Sequence, residues 1–212
     1  MKILTVSDVV ERKLYSSKAA ERFQGVDLIL SCGDLPLYYL EFLVSSFNVP
    51  LYYVYGNHHA SPMLTVSGDE VKTPGGCINI DNSFVRFRGL SLLGFEGCMR
   101  YNDGQKQYTE FQMSRKIFWM KPRLWLHKFT HHPVDIVITH APPFGIHDKP
   151  DLCHRGFKSF LRLIDVFHPR YFIHGHTHRY TLQDEWKTQH GSTTVINTCG
   201  YRVLEIESSA GK

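Results

Sequence analysis

Short apolar runs, nearly unbroken and each stopped by a polar residue, recur along this chain of 212 residues. Lys2 to Val6 runs into Ser7-Asp8, Asp27 to Cys32 into Gly33-Asp34, and Val49 to Tyr55 into Gly56-Asn57-His58. Val134 to Thr139 runs into His140, and Arg170 to Ile173 into His174-Gly175-His176-Thr177-His178. These runs are rich in Val, Ile, Leu, Tyr or Phe and do not alternate with polar residues, which is how a strand buried on both faces reads. Helical patterns lie between them. Glu11 to Phe23 and Leu37 to Phe47 are amphipathic, and Glu110 to Lys128 is longer, with Pro122 predicting a kink or break. Arg155 to Phe167 is another, closed by His168-Pro169. Arg86 to Phe95 predicts a strand pair around Gly89, and Thr193 to Thr198 with Arg202 to Ile206 predicts an antiparallel ending joined through Cys199-Gly200.

Strands alternating with helices predict an α/β fold with largely parallel central strands. Ligands bind such sheets outside the carboxyl ends of the strands. All five runs carry their polar residues at that end, so Asp, Asp, Asn-His, His and His-x-His are expected to meet on one rim. No repeat or Pro/Gly/Ser linker divides the chain, and its length suits one domain over residues 1–212. With 42% hydrophobic and 21% charged residues it reads as globular, neither disordered nor a coiled coil. No apolar stretch approaches the roughly 18 residues of a membrane span. The opening run breaks at Asp8 and does not read as a secretory signal.

The formal charge is +4 at pH 7, too mild to argue for nucleic acid by itself but suited to an anionic substrate. Cys32, Cys77, Cys98, Cys153 and Cys199 are odd in number, widely spaced and without a Cys-x-x-Cys pair. That speaks against a disulfide framework or zinc ribbon and for reduced thiols in a cytoplasm. The 13 histidines are the unusual count. Imidazole is the commonest metal ligand and the side chain that titrates nearest neutral pH.

Taken in order, Asp8, Gly33-Asp34, Gly56-Asn57-His58, His140 and Gly175-His176-Thr177-His178 resemble the motif series of the calcineurin-like metallophosphoesterases. Each block alone is weak, but together they span residues 8 to 178, each behind an expected strand. The resemblance implies a four-layered α/β/β/α sandwich with two divalent cations, Mn, Fe, Zn or Ni, at the rim. It implies Asp34 as a bridge between them, Asn57, His140 and His176 on one, and Asp8 and His178 on the other. Two cations roughly 3.5–4 Å apart need such a shared anionic ligand. It further implies hydrolysis of a phosphomonoester or phosphodiester by a metal-bound hydroxide, with His58 as proton donor or charge stabiliser at the leaving oxygen.

Two positions depart from the family pattern. The family has His two residues after the first Asp, where this chain has Val10, which cannot bind metal. The second cation is therefore expected to be weaker, or harder in its preference, unless Glu11 substitutes. His59 stands where the family often has an acid and reads as facing substrate or supporting the ligands.

Each candidate also has a plainer reading. Asp8 could be a helix cap, Gly33-Asp34 a turn, Asn57 a left-handed turn residue, and His140 an ordinary strand-end histidine. His174 is expected to support the ligands rather than join them. His131 and His132 read as solvated residues at a helix end, and His147, Asp148 and His154 as polar loop. Arg115, Lys116, Lys121, Arg123 and Lys128 share a helix with Trp119 and Trp125. That helix could face nucleic acid or an anionic membrane, or cap the site, but the favoured expectation packs the tryptophans on the sheet and solvates the basic residues. The sequence thus predicts a cytoplasmic hydrolase acting on a small phosphorylated or nucleotide substrate. The alternatives are a non-catalytic binding module with a degraded second metal site, and a nuclease.

Overall fold

The computed structural model describes residues 1–58, 63–64, 70–130, 134–178 and 185–207. The readings of His59, His131 and His132 lie outside the described residues.

The first sheet is built from β1 (Lys2–Ser7), β2 (Leu28–Ser31), β3 (Leu51–Tyr53), β6 (Cys77–Asn79) and β15 (Gly200–Glu205). Its order is β15-β1-β2-β3-β6, parallel except for β15. The second contains β7 (Phe84–Phe87), β8 (Leu90–Phe95), β11 (Ile136–Thr139), β12 (Tyr171–His174), β13 (Lys187–His190) and β14 (Thr193–Asn197). Its order is β13-β14-β12-β11-β8-β7, with the four central strands parallel and both outer ones antiparallel. Two small pairs complete the described strands: β4 (Met63–Leu64) with β5 (Glu70–Val71), and β9 (Cys98–Met99) with β10 (Gln107–Tyr108).

Three apolar clusters define the layers. Ile3, Leu28, Leu30 and Val54 face Leu92, Ile136, Ile138 and Ile173 between the two sheets. The other face of the first sheet, through Leu4, Val6, Ile29 and Leu51, packs on Tyr39, Leu40 and Leu43 of α2 (Leu37–Phe47). The other face of the second sheet, through Leu93, Phe95, Val137 and Phe172, packs on α3 (Glu110–Thr130) and α4 (Lys158–Phe167). Both sheets are therefore covered on both faces, which is why their strands read as continuous apolar runs. The architecture is the expected α/β/β/α sandwich.

Several expected elements are corrected. Only α1 (Ala19–Arg22) is helical within the expected Glu11-to-Phe23 helix. Around Ser16 the side chain competes with the backbone, accepting from the Lys18 N–H at 3.3 Å, and the first turn at Glu11 does not propagate. The helix expected from Arg155 begins at Lys158, because Phe157 is extended and bonded to the Pro142 carbonyl at 3.1 Å. Its first amides are satisfied from another helix: the Glu110 carboxylate accepts from Lys158 N at 2.9 Å and Ser159 N at 2.7 Å. Helix α3 runs through Pro122 without a break.

The two final strands are not a hairpin. β14 lies beside β12 in the second sheet, and β15 beside β1 in the first. The chain crosses between sheets at Thr198-Cys199, where the Thr5 and Thr198 hydroxyls hydrogen-bond and Ser7 bridges Cys199. The tryptophans of α3 do not pack on the sheet either. Met113, Ile117, Met120 and Leu124 do, while Trp119 is 69% exposed and Trp125 39%. All five cysteines stand as free thiols.

Candidate metal centre

The five polar strand ends meet at the carboxyl rim of the two sheets, which pack face to face. Cross-sheet hydrogen bonds fix that meeting. The His140 ring, at the end of β11, donates from Nδ1 to the Cys32 carbonyl at the end of β2 (2.7 Å). The backbone N–H of His176 donates to both oxygens of Asp8, at 3.1 and 2.9 Å. Within each sheet, Asp8 N donates to Gly33 O at 3.2 Å, and Gly175 N to His140 O at 3.0 Å.

These turns demand unusual backbone. Asp8, Asp34 and His176 all have positive φ (64°, 54° and 67°), a conformation that L side chains adopt only when surroundings impose it. Two glycines make room for the carboxylates. A Cβ at Gly56 would stand 1.9 Å from the Asp34 Oδ1, and one at Gly175 would stand 2.5 Å from the Asp8 Oδ2. The glycines of the Gly-Asn-His and Gly-His-x-His blocks are thus steric requirements of the aspartates beside them.

Asp34, His140 and His176 bring one donor atom each within 4.8 Å of one another. Asn57 joins them, its Oδ1 3.0 Å from His140 Nε2 while Asp34 Oδ2 is 3.2 Å from the same nitrogen. Two oxygens, from Asn57 and Asp34, therefore converge on His140 Nε2, and with His176 nearby these are the kinds of donor a divalent cation takes in place of a proton. The other atom of each ligand is already anchored. His140 Nδ1 is held by Cys32, and His176 Nε2 donates to the Cys153 carbonyl at 2.7 Å, leaving its Nδ1 available. Asn57 Nδ2 donates to the Tyr101 hydroxyl at 3.1 Å. Such anchoring fixes tautomer and orientation. The residues fit a cation.

The electrostatics agree. Burial disfavours a charged His140, but the Asp34 carboxylate beside it more than offsets this and pushes the imidazole up to about 9. Burial likewise opposes charge on Asp34, and His140 overrides it, holding the carboxyl at about 2. Burial, reinforced by the neighbouring His140 charge, depresses His176 to about 3, so the ring is neutral at pH 7 and able to ligate. Burial raises Asp8 above the ordinary carboxylate range.

The second half of the expected set is looser. Asp8 and His178 are not in the 4.8 Å group. His178 Nδ1 lies 3.8 Å from the Cys199 Sγ. Val10, half-buried, packs against the cluster of Leu4, Val6 and Tyr39. Glu11 Oε1 lies 2.7 Å from where a Cβ on Gly200 would stand, and Gly200 pairs with Ser7 beside Asp8. His58 is exposed, and its backbone N–H donates to Asp34 Oδ1 at 2.9 Å.

Sequence reasoning missed two contributors. The loop after β11, read as polar loop, supplies the Cys153 carbonyl and sets the His154 ring 5.2 Å from that of His176. Tyr101 carries no motif, and a backbone carbonyl carries no sequence signal at all. His174 is buried and supports the motif as expected, with Nδ1 donating to the Gly175 carbonyl at 3.0 Å and Nε2 facing His147 Nδ1 at 3.0 Å. His147 reaches Thr188 at 2.8 Å, so it too serves the framework.

The structure thus carries a candidate metal-donor cluster on the strand ends of a double-sheet sandwich. A family model for calcineurin-like phosphoesterases matches residues 1–180, and the chain belongs to that family. One crystal structure matches 96% of this chain and 94% of its own, with a TM-score of 0.65 and 16% identity. The crystal structure of TT1561 from Thermus thermophilus matches 94% of this chain and 89% of its own, with a TM-score of 0.58 and 15% identity. A putative 5'-nucleotidase from Staphylococcus aureus, crystallised with alpha-ketoglutarate, matches 97% of this chain over 51% of its own, with a TM-score of 0.51 and 13% identity. At these identities the likeness is one of fold. No curated protein sequence matches the chain.

Proposed function

We propose that this chain is a metal-dependent hydrolase of phosphate esters, with one cation held by Asp34, Asn57, His140 and His176 and a second, weaker one held by Asp8, Asp34 and His178. The observation that carries the reading is the convergence of Asp34, His140 and His176 within 4.8 Å at the junction of the sheets. When bound, such cations polarise phosphoryl oxygens and make water acidic enough to react near neutral pH. The chain's own groups do the rest. Cys32, Cys153 and Tyr101 hold the ligand side chains in single orientations, so no reorganisation is needed when substrate arrives. His58, exposed directly after Asn57, donates a proton to the departing ester oxygen or balances its charge.

The test is hydrolysis of p-nitrophenyl phosphate and bis-p-nitrophenyl phosphate with Mn²⁺, beside metal analysis of the protein. Turnover that disappears with chelator and in His58→Ala, while metal stays bound in that variant, supports the proposal. The inward packing of Val10 favours one competitor, a metal-holding module without turnover. Bound metal with no hydrolysis of either ester under any divalent ion would establish that alternative.

A further inference from the structure

Helix α3 is apolar on two opposite faces. One face packs in the core through Met113, Ile117, Met120 and Leu124. The other carries Phe111, Phe118, Pro122, Leu126 and Phe129, spaced so that they share a side of a 3.6-residue helix, with Trp119 and Trp125 at its margins. Phe111 is 73%, Phe118 57%, Trp119 69% and Phe129 79% exposed. From Phe111 to Phe129 the stripe extends roughly 27 Å, at about 1.5 Å per residue. Contiguous exposed aromatic surface of this extent marks an interaction site rather than ordinary surface.

Its charges are one-sided. Arg115 stands within the stripe, and exposed Lys121 and Arg123 flank it. The Lys121 ammonium lies 5.6 Å from the Phe118 ring centre. The only acid of α3, Glu110, is engaged with the first amides of α4. The groove between α3 and α4, about 240 Å³, continues the pattern with Lys121 and Arg162. The acid in its lining, Asp165, is bonded to His190 at 2.8 Å. A second copy of this face would bring arginines and lysines against one another with no carboxylate to pair them. The complementary surface must be apolar and anionic together.

We infer that the outer face of α3 is a membrane-docking surface, and that it lays this helix flat in the headgroup region of an anionic lipid bilayer. Aromatic rings enter the acyl boundary, and the long basic side chains reach outward to lipid phosphates. The helix lies on the membrane, for no described helix is long and apolar enough to cross one.

Sedimentation with vesicles of phosphatidylcholine alone, and of phosphatidylcholine mixed with phosphatidylglycerol, tests this directly. The protein should bind the mixed vesicles, bind less as salt rises, and show a blue shift in tryptophan emission. Arg115→Gln with Lys121→Gln should weaken the partition about thirtyfold, at about 1 kcal/mol per basic residue near the surface. Trp119→Ser with Phe129→Ser should abolish it while leaving the melting temperature unchanged, because both side chains are exposed. The proposal is overturned by failure to bind the mixed vesicles at low salt or by equal binding to neutral ones. It is likewise overturned if those variants abolish only self-association or only oligonucleotide binding.

Discussion

The two halves of the candidate metal centre are built to different standards. Around Asp34, each ligand side chain has a second bond to the framework: His140 to Cys32, His176 to Cys153, Asn57 to Tyr101. Around Asp8 and His178 the donors are further apart, and the position that would add an imidazole holds Val10, half-buried against the apolar cluster of the first sheet. Both oxygens of Asp8 accept from the backbone N–H of His176, so this carboxylate serves the fold of the His-x-His turn as much as any ligand. A site whose ligands are fixed before metal arrives binds without ordering cost, and one that must gather its donors does not. We therefore expect ion occupancy to be unequal, with the first cation retained through purification and the second supplied from solution.

That contrast can be broken from either side. The largest effect should follow Asp34→Ala, which removes the carboxylate common to both halves. Turnover should fall on the order of 10³-fold or more as transition-state charge loses its counterpart, and metal analysis should find neither ion. Next comes His58→Gln, expected to lower turnover by about 10²–10⁴-fold with bound metal unchanged. Lost metal in that variant would instead make His58 a ligand. Tyr101→Phe releases Asn57 and should weaken the first cation by about 10–100-fold, readable by competition with a fluorescent chelator.

A fourth prediction uses pH. His140 is raised above its ordinary 6.5 to about 9 in the fold. Its charge therefore stabilises the chelated protein fully below about pH 6.5, and that contribution is lost as pH rises through about 9. Saturating Mn²⁺ displaces the same proton, so stabilisation by metal should grow over that interval. Melting curves with and without Mn²⁺ should diverge as pH rises, and parallel curves would remove His140 from the ligand set. The smallest effect concerns Val10→His. Because this side chain packs on the core cluster, the substitution should leave the metal count unchanged and cost about 1 kcal/mol, a drop of about 2–4 °C in melting temperature for a domain of this size. A second tightly held ion in that variant would show that the position does reach the site.

Much of this is legible in the residues. Unbroken apolar runs announce doubly covered strands, and the polar stop after each run announces the rim. Polar residues at successive strand ends can be expected on one rim, and the resemblance to the metallophosphoesterase motif series nominates Asp34, Asn57, His140 and His176 among them. Less legible are features whose cause lies elsewhere in the chain. The start of α4 is set by Glu110, some 48 residues away, and the shortness of α1 by a serine side chain competing with the helix. The final two strands share a hydrophobic signature yet belong to different sheets, because pairing depends on which edge is open and not on local pattern. Size alone would send the tryptophans of α3 to the core. Its smaller apolar residues pack there instead, since their spacing matches the face that meets the sheet.

The sequence by itself determined the alternation of buried strands and helices and the polar residues that end each strand, because both are written in local periodicity and side-chain chemistry. Tertiary structure alone decided which donors close around one point. Distance between residues as far apart as Asp34 and His176 is set by how two sheets pack face to face, and that packing is a sum over the whole core that no short stretch of chain encodes.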